Sequence, residues 1–193
     1  MAQEANYGDI ILLCGDLHIG TRMEKIHEKI VSALGVNKLQ HVLCTGNVGN
    51  KETFDWLKQI SPNFHCVRGQ YDDENNEIHN DQKVIQIGIW KILLIHGHQF
   101  VPWNDEETIS VFLKESSCDI AVFGNSHQSL ISKFERKYFI NPGTMSGSYG
   151  SIKQDAVIQP EFVILECLGD EMGVYKYKLI NGELLIEKCT ITK

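Results

Sequence analysis

The sequence has no apolar run long enough to cross a membrane. Its longest uninterrupted run, from Ile10 to Cys14, is far shorter than the roughly 20 residues that a membrane-spanning helix needs. The segment from Met1 to Tyr7 is polar and acidic, which is the reverse of a targeting segment. We therefore expect a cytoplasmic protein that reaches membranes only indirectly, without direct insertion.

Basic charge is also in short supply. The chain carries 18 lysine and arginine residues against 25 aspartate and glutamate residues, for a formal net charge of -7. Because a nucleic-acid-binding protein needs a basic face for the phosphate backbone, this balance argues against nucleic acid as a partner. The composition, 42% hydrophobic over 193 residues, is that of a folded chain with a substantial core. We expect a single domain over residues 1–193.

Paired cysteine motifs are absent. The sequence contains 6 cysteines, none of them in a C-x-x-C pair, and several lie inside apolar runs, as Cys14 and Cys44 do. A disulfide framework is not expected for a chain of this size without a signal peptide. We therefore interpret the cysteines as buried, reduced thiols.

Short apolar runs alternate with helical patterns through the first two thirds of the chain. The predicted order is β-α-β-α-β, which favours right-handed parallel crossovers. From about Leu130 the predicted strands follow one another through short turns, and alternating polar and apolar residues indicate an antiparallel sheet with one face in water. The fold class that we predict is an α/β sandwich of two mixed β-sheets with helices outside. The polar segment from Gly143 to Gln159 is interpreted as an inserted loop.

Polar side chains directly follow five of the predicted strands, each next to a glycine. The carboxyl ends of strands in an α/β sheet are where functional sites assemble. Any one of these fragments alone is more often an ordinary turn, but five in this arrangement indicate one site. The residues concerned are Asp16, His18, Asn47, Gln70, Asp72, His96, His98, Asn125 and His127.

The order Asp-x-His, Gly-Asn, Gly-Gln-Tyr-Asp, His-Gly-His and Gly-x-x-His resembles the calcineurin-like metallophosphoesterase family over nearly the whole chain. The resemblance implies a metallophosphoesterase-like sandwich of two mixed β-sheets flanked by helices. It looks closest to the branch that provides the small subunit of the retromer coat. Several stretches that carry this closer match contain no metal chemistry, which favours the coat subunit over a general phosphodiesterase. The matching stretches are 15–18, 41–47, 95–99 with Pro102-Trp103, and 140–143.

The resemblance also implies a metal site. In active members of the family, two divalent cations hold a phosphate ester and activate a hydroxide. By this resemblance, Asp16, His18 and His127 hold a first ion, for which zinc and manganese are the candidates. The second ion would depend on Asn47, Gln70, His96 and Asn125.

The departures from the family pattern remove charge and a proton donor. Asn47 stands where active enzymes have a bridging aspartate, which leaves Asp16 as the one carboxylate against the four positive charges of two ions. Tyr71 stands where many members have a catalytic histidine, and a tyrosine with its ordinary pKa of about 10 is a poor acid near neutrality. We therefore predict a catalytically degenerate site with no catalytic residues and one weakly bound ion.

Two alternatives remain open at this point. The polar residues of the site could bind no ion and instead hydrogen-bond to each other or to water. The chain could also be a live metal-dependent phosphodiesterase acting on small phosphoesters, with Asp72 or Asp73 partly replacing the missing acid.

The loop from Gln99 to Trp103 places large apolar residues directly after the His-Gly-His motif. One interpretation is that they pack on the predicted helix around Ile109, which we favour for Trp103. The resemblance implies instead that this face docks into the large α-solenoid subunit of retromer, vacuolar protein sorting 35. Phe100, Val101 and the rim around Asn47 would then be exposed contacts.

A second apolar set lies in the late strands, at Ile164, Tyr175 and Tyr177. Such residues are more often core, but the resemblance implies a patch that recruits regulators such as Rab GTPase-activating proteins. The function predicted in this way is a non-catalytic coat subunit that supports endosome-to-Golgi retrieval of cargo and associates peripherally with endosomal membranes. A protein-binding module outside any coat is a further alternative.

Overall fold

The structure, a computed structural model, describes residues 8–35, 39–72, 78–150 and 158–193. Within these ranges, 11 strands and 3 helices follow one another along the chain. They are β1 (Asp9–Cys14), α1 (Glu28–Gly35), β2 (His41–Cys44), α2 (Lys51–Ile60), β3 (Asn63–Cys66), β4 (Gln82–Ile87), β5 (Trp90–Ile95), α3 (Glu106–Ser116), β6 (Ile120–Val122), β7 (Ser129–Phe134), β8 (Lys137–Pro142), β9 (Glu161–Leu168), β10 (Glu171–Ile180) and β11 (Glu183–Thr192).

The strands form two mixed sheets. The first has six strands in the order β11-β10-β9-β1-β2-β3, with β1, β2 and β3 parallel and β9 antiparallel to β1. The second has five strands in the order β4-β5-β6-β8-β7, in which β5, β6 and β8 are parallel. The predicted α/β sandwich of two mixed sheets is therefore confirmed.

Alternate residues of β1 point into two different parts of the core, as the period of a strand requires. Ile11 and Leu13 lie between the two sheets, where they join Ile92 of the second sheet. Leu12 faces the other way and packs in the cluster that contains Ile30 of α1. A third cluster packs α3 on the outer face of the second sheet. The layers therefore run helix, sheet, sheet, helix, and the nearly continuous apolar run of β1 reflects burial on both faces.

Side-chain caps fix where two of the helices begin. Asn50 precedes α2, and its side chain accepts a hydrogen bond of 2.9 Å from the backbone N–H of Thr53. Asp105 does the same for α3 through Thr108 at 2.8 Å. Each cap satisfies an N–H group that the first turn of a helix leaves unpaired.

The cysteines are free thiols, and five of the six are buried. The prediction of buried, reduced thiols is wrong for Cys189, which is exposed because it lies on the edge strand β11.

None of the helices in the described ranges has the length and hydropathy of a membrane-spanning segment.

Candidate metal centre

The predicted site lies in loops that follow parallel strands of both sheets. Asp16 and His18 follow β1, Asn47 follows β2, and Asn125 and His127 follow β6. All five have a backbone φ between 49° and 71°, a conformation that is uncommon for residues other than glycine. They are five of the nine such non-glycine residues in the described ranges. Unfavourable backbone conformations are therefore concentrated at this site, as is common at functional sites.

Close approach of these loops requires glycine at two positions. A Cβ atom added to Gly69 would lie 2.2 Å from the Asn47 Oδ1 atom. A Cβ atom added to Gly15 would lie 1.8 Å from the Thr45 Oγ1 atom. The glycines beside the polar residues of the motifs thus let the loops after β1, β2 and β3 pack directly against each other.

Asp16 is fully buried at the centre of the site. Its Oδ2 atom accepts a hydrogen bond of 2.8 Å from the backbone N–H of Asn125. Its Oδ1 atom lies 3.7 Å from His127 Nε2 and 3.9 Å from His96 Nε2. The carboxylate therefore points one oxygen at both imidazoles.

Backbone carbonyls set which ring nitrogens of the two histidines carry hydrogen. His96 Nδ1 lies 2.8 Å from the carbonyl oxygen of Thr45, and His127 Nδ1 lies 2.8 Å from that of Ser148. Because a carbonyl oxygen only accepts, each Nδ1 must donate. In a neutral ring, the lone pair is then on Nε2: that of His96 faces the Asn47 amide at 3.0 Å, and that of His127 faces Asp16. Metal-ligating histidines are commonly held in this way, with the other ring N–H donated to a carbonyl oxygen.

His18 supplies the remaining observation that bears on a metal ion. Its Nε2 atom is buried and has no hydrogen-bond partner, and its ring stacks on that of His127 with centroids 5.1 Å apart. Burial, reinforced by the nearby charge of Arg22, lowers the pKa of His18 to about 3, so the ring is neutral. Ligand atoms of Asp16, His18 and His127 all lie within 4.8 Å of one another. One carboxylate, one unpartnered imidazole nitrogen and a second oriented imidazole are suited to hold one divalent ion.

Asn47 occupies the other half of the site. Its Nδ2 group lies 3.2 Å from Asp16 Oδ1 and 3.0 Å from His96 Nε2. Its Oδ1 atom accepts a hydrogen bond of 3.0 Å from the backbone N–H of Tyr71. These three partners fix the orientation of the amide, because a carboxylate oxygen and a lone pair require donors and an N–H requires an acceptor.

Comparison with known proteins agrees with this geometry. Residues 10–170 match the calcineurin-like phosphoesterase superfamily domain. Vacuolar protein sorting-associated protein 29 of Schizosaccharomyces pombe is 28% identical over 186 residues, which is 95% of this chain and 98% of that protein. The structure of Vacuolar Protein Sorting 29 from Cryptosporidium parvum is 31% identical with a TM-score of 0.90, and the match covers 97% of this chain and 100% of that one. The chain belongs to the Vps29 family of this superfamily.

One member of the Vps29 family has been described with a metal ion. The wild-type Vps29 from Entamoeba histolytica, in a crystal structure complexed with zinc, is 34% identical to this chain, with a TM-score of 0.87. The match covers 94% of this chain and 98% of that one. The resemblance to metallophosphoesterases drawn from the sequence is thereby confirmed at the level of fold and family.

A buried carboxylate, Asp72, locks the loops of this Vps29-family site. Its two oxygens accept hydrogen bonds from three backbone N–H groups, those of Asn47 at 2.7 Å, Val48 at 2.9 Å and Gly69 at 2.9 Å. Burial raises the pKa of Asp72, while these hydrogen bonds oppose the increase. The oxygens of Asp72 therefore hold the backbone of these loops in place. Asp73, the other residue considered as a replacement acid, lies outside the described residues.

The segment from Gly143 to Gly150 contains no helix or strand, as expected of the predicted loop, and its hydroxyl groups support the loop that follows β1. The hydroxyl groups of Thr144 and Ser148 both donate to the carbonyl oxygen of Asp16 at 2.7 Å, and that of Ser146 donates to the carbonyl oxygen of Leu17 at 2.6 Å. All three hydroxyl residues are buried. The signal that sequence reasoning missed is a hydroxyl residue at every second position. Residues 151–157, the next part of the same expectation, lie outside the described ranges.

The structure brings only some of the predicted ligands together. Gln70 is exposed, and Asn125 contacts Asp16 through its backbone N–H. Ligand roles for these two residues stay predictions. The residues that meet through side chains are Asp16, His18, Asn47, His96 and His127.

The loop after the His-Gly-His motif divides into buried and exposed residues. Phe100 is fully buried against Phe112 and Phe123, with ring centroids 5.1 Å and 5.6 Å away. The expectation of an exposed Phe100 is therefore wrong, because this ring fills the core beneath α3. Val101 is 78% exposed, and Trp103, which we favoured as packed on the helix, is 43% exposed.

The late-strand set lies on the helix-facing side of the first sheet. Tyr175 pairs with Ile164 in the register of β9 and β10, and Tyr177 stacks on Phe162 with ring centroids 4.6 Å apart. Ile164 is buried, whereas the two tyrosines are partly exposed. Partner binding by Ile164, Tyr175 and Tyr177 stays a prediction.

Proposed function

We propose that this Vps29-family protein is a non-catalytic subunit of the retromer coat and that its metal-centre face binds the large α-solenoid subunit, vacuolar protein sorting 35. Through the coat, it would associate with endosomal membranes and support endosome-to-Golgi retrieval of cargo. The observation that carries the non-catalytic part is the position of the Asn47 amide. Its N–H groups engage Asp16 and His96, the two side chains that a second cation would need.

Charge supports one ion rather than two. A two-metal phosphoesterase holds its ions about 3.5–4 Å apart between bridging groups, and a bridging carboxylate offsets their repulsion. Here the bridge is a neutral amide already bonded on both sides. One zinc or manganese ion on Asp16, His18 and His127 leaves the Asn47 hydrogen bonds intact. When bound, such an ion would cross-link the loops that follow β1 and β6.

The docking part of the proposal is supported by Val101. Its side chain is 78% exposed, in the loop that follows His96 and His98, and therefore offers apolar area that a partner can bury. The buried ring of the preceding residue, Phe100, holds the loop against the core. Val101 therefore presents its side chain from a rigid support, which lowers the entropic cost of binding.

The test is co-purification with the full-length large subunit after Val101→Asp. We expect binding to be lost while the melting temperature is unchanged, because the side chain makes little contact within the protein. The matched control is Val84→Asp, a valine that is 51% exposed on β4, which should bind normally. Unchanged binding by the Val101 variant would reject the docking assignment.

We further propose that Tyr175 and Tyr177, with Ile164 beneath them, receive regulators such as Rab GTPase-activating proteins. Partly exposed tyrosines on an apolar base resemble the anchors of many interfaces. Ile164 is buried, so Ile164→Ser would also disturb the core. Tyr177→Ala changes a partly exposed side chain and is therefore the more specific variant. Unaltered affinity for a regulator peptide in a stably folded Tyr177→Ala protein would count against this assignment.

A metal-dependent phosphodiesterase is the second candidate function, and the unpartnered His18 Nε2 atom is the observation that favours it. Hydrolysis of an activated phosphodiester with excess manganese decides between the two. We expect no turnover above the uncatalysed rate. Metal-dependent turnover that disappears in His127→Ala would establish the enzyme and reject the non-catalytic subunit.

A further inference from the structure

A single arginine stands at the mouth of the metal centre, between two tyrosine rings. The guanidinium carbon of Arg22 lies 4.7 Å from the ring centroid of Tyr71 and 5.1 Å from that of Tyr149. One guanidinium nitrogen also donates to the Tyr149 carbonyl oxygen at 2.7 Å. The three residues come from three different loops, which follow β1, β3 and β8. We call this group the arginine clamp.

The arginine clamp is in direct contact with the metal centre. The edge of the Tyr71 ring meets the His18 ring with centroids 5.6 Å apart, and the charge of Arg22 contributes to the low pKa of His18. Both tyrosines remain accessible from outside, since Tyr71 is 55% and Tyr149 is 46% exposed. A partner that covers the metal centre would therefore touch the clamp as well.

The positive charge of Arg22 has no carboxylate partner in the described part of the chain. The ion pairs found there involve other residues. A guanidinium has five N–H donors in a planar fork that suits a carboxylate. Among the described residues, the Arg22 guanidinium donates only to the Tyr149 carbonyl oxygen. The two rings restrict the position of the guanidinium, so little further ordering is needed when an anion binds.

An ion in the neighbouring site would add to this charge. A divalent cation on Asp16, His18 and His127 exceeds the single negative charge of Asp16 by one. Arg22 adds a second positive charge, and the carboxylate of Asp72, which accepts from the Asn47 backbone, offsets at most one of them. The mouth of the site is then positive although the chain as a whole carries a net charge of -7. Charge complementarity at this point therefore favours an anionic group on the partner.

We propose that the arginine clamp is the specificity point of the metal-centre face, where Arg22 binds a carboxylate side chain of the docking protein between Tyr71 and Tyr149. This inference rests on the proposed function, because the docking protein is the large retromer subunit. It adds a polar anchor of defined chemistry to the apolar anchor at Val101. It also gives the exposed tyrosines a role that hydrolysis would not require.

The test compares affinities for the full-length large subunit by calorimetry. We expect Arg22→Met, which keeps most of the side-chain length, to weaken binding by at least about tenfold, and Arg22→Glu to weaken it further. Tyr71→Ala leaves the charge in place but removes one wall, and we expect a weaker loss. The control is Lys25→Glu, which makes the same charge change in the same loop at an exposed ion pair and should change affinity by less than about threefold.

A charge swap identifies the partner group. A lysine replacing one acidic residue of the large subunit should restore the binding of Arg22→Glu while weakening the binding of the wild type. If Val101→Asp abolishes binding and both Arg22 variants bind like the wild type, the clamp assignment is wrong and the proposed function stands. If the wild type itself does not bind, both are wrong.

A small anion is the competing ligand and has its own measurement. Inorganic phosphate titrated into the free protein should cause at most a weak, salt-like response. Micromolar binding of phosphate that is lost in Arg22→Met, together with unchanged affinity of that variant for the large subunit, would overturn the partner carboxylate.

Discussion

Replacing the Asn47 amide by a carboxylate tests the central feature of the metal centre. In Asn47→Asp, an oxygen takes the place of the Nδ2 group that lies 3.2 Å from Asp16 Oδ1. Two unit charges at that separation repel by about 5 kcal/mol at an effective dielectric constant of about 20. The pair can instead share a proton, which at pH 7 costs about 4 kcal/mol for a carboxyl with an ordinary pKa near 3.9. The smaller cost is the largest loss of stability that we expect, because the new oxygen also lies beside the imidazole of His96, 3.0 Å from the Nδ2 position.

The sign of the pH dependence follows from that proton. Repulsion raises the pKa of one carboxyl in the folded variant, so the folded state binds a proton that the unfolded state has lost at neutral pH. The variant should therefore gain stability relative to the wild type as the pH falls. The deficit should shrink from at most about 4 kcal/mol at pH 7 to at most about 1.5 kcal/mol at pH 5. Excess manganese at pH 7 should also reduce the deficit, because a cation between two carboxylates removes their repulsion.

The assay is urea denaturation of both proteins with a chelator present, at the two pH values, and then with manganese. Asn50→Asp is the matched control, because Asn50 caps α2 and aspartate caps a helix equally well. A loss of stability in Asn47→Asp that is the same at pH 7 and pH 5 in chelator would contradict the placement of the amide beside Asp16.

Three further predictions concern the loops that hold the site. Gly69→Ala should lower the free energy of unfolding, measured by denaturation, by more than about 2 kcal/mol, because its Cβ atom would lie 2.2 Å from the Asn47 oxygen. The control is Gly35→Ala, which should be neutral or stabilising, since nothing lies within 4 Å of a Cβ atom added there. Ser148→Ala should cost about 1–3 kcal/mol in the same assay, since its hydroxyl supports the loop after β1; an effect below about 0.5 kcal/mol would contradict a supporting role. In chelator, His18→Gln should lose less stability than the wild type as the pH falls below about 6.5. The reason is that the folded wild type holds the pKa of His18 near 3, so the unfolded chain takes up the proton first and is favoured. Parallel curves of stability against pH for the two proteins, from pH 7 to pH 4, would refute this.

The sequence predicted the sheets well because both faces of β1 are apolar and the strand-terminal glycines mark where loops converge. The same pattern located Asp16, His18 and His127, since parallel strands end at one edge of a sheet. Residues in the motifs were therefore within reach of sequence reasoning.

The positions of residues outside the motifs could not be predicted from the sequence. Phe100 and Val101 are neighbours of similar hydropathy, and only packing decides that the first is buried and the second exposed. Arg22 and Tyr149 are far apart in the chain, and no local pattern relates them until the loops after β1 and β8 come together. Ser148 is one hydroxyl in a segment whose composition is typical of a surface loop, and its burial depends on the carbonyl oxygen of Asp16.

The left-handed backbone at the site limits which replacements are informative there. At Asp16, His18, Asn47, Asn125 and His127 the positive φ suits asparagine, aspartate and glycine better than alanine. An alanine scan would therefore combine the loss of a side chain with a conformational penalty of about 1 kcal/mol. Glycine removes the side chain and the penalty together, so paired alanine and glycine replacements separate chemistry from conformation. The same constraint limits which residues can replace these five during evolution without destabilising the loops, whether or not an ion is held there.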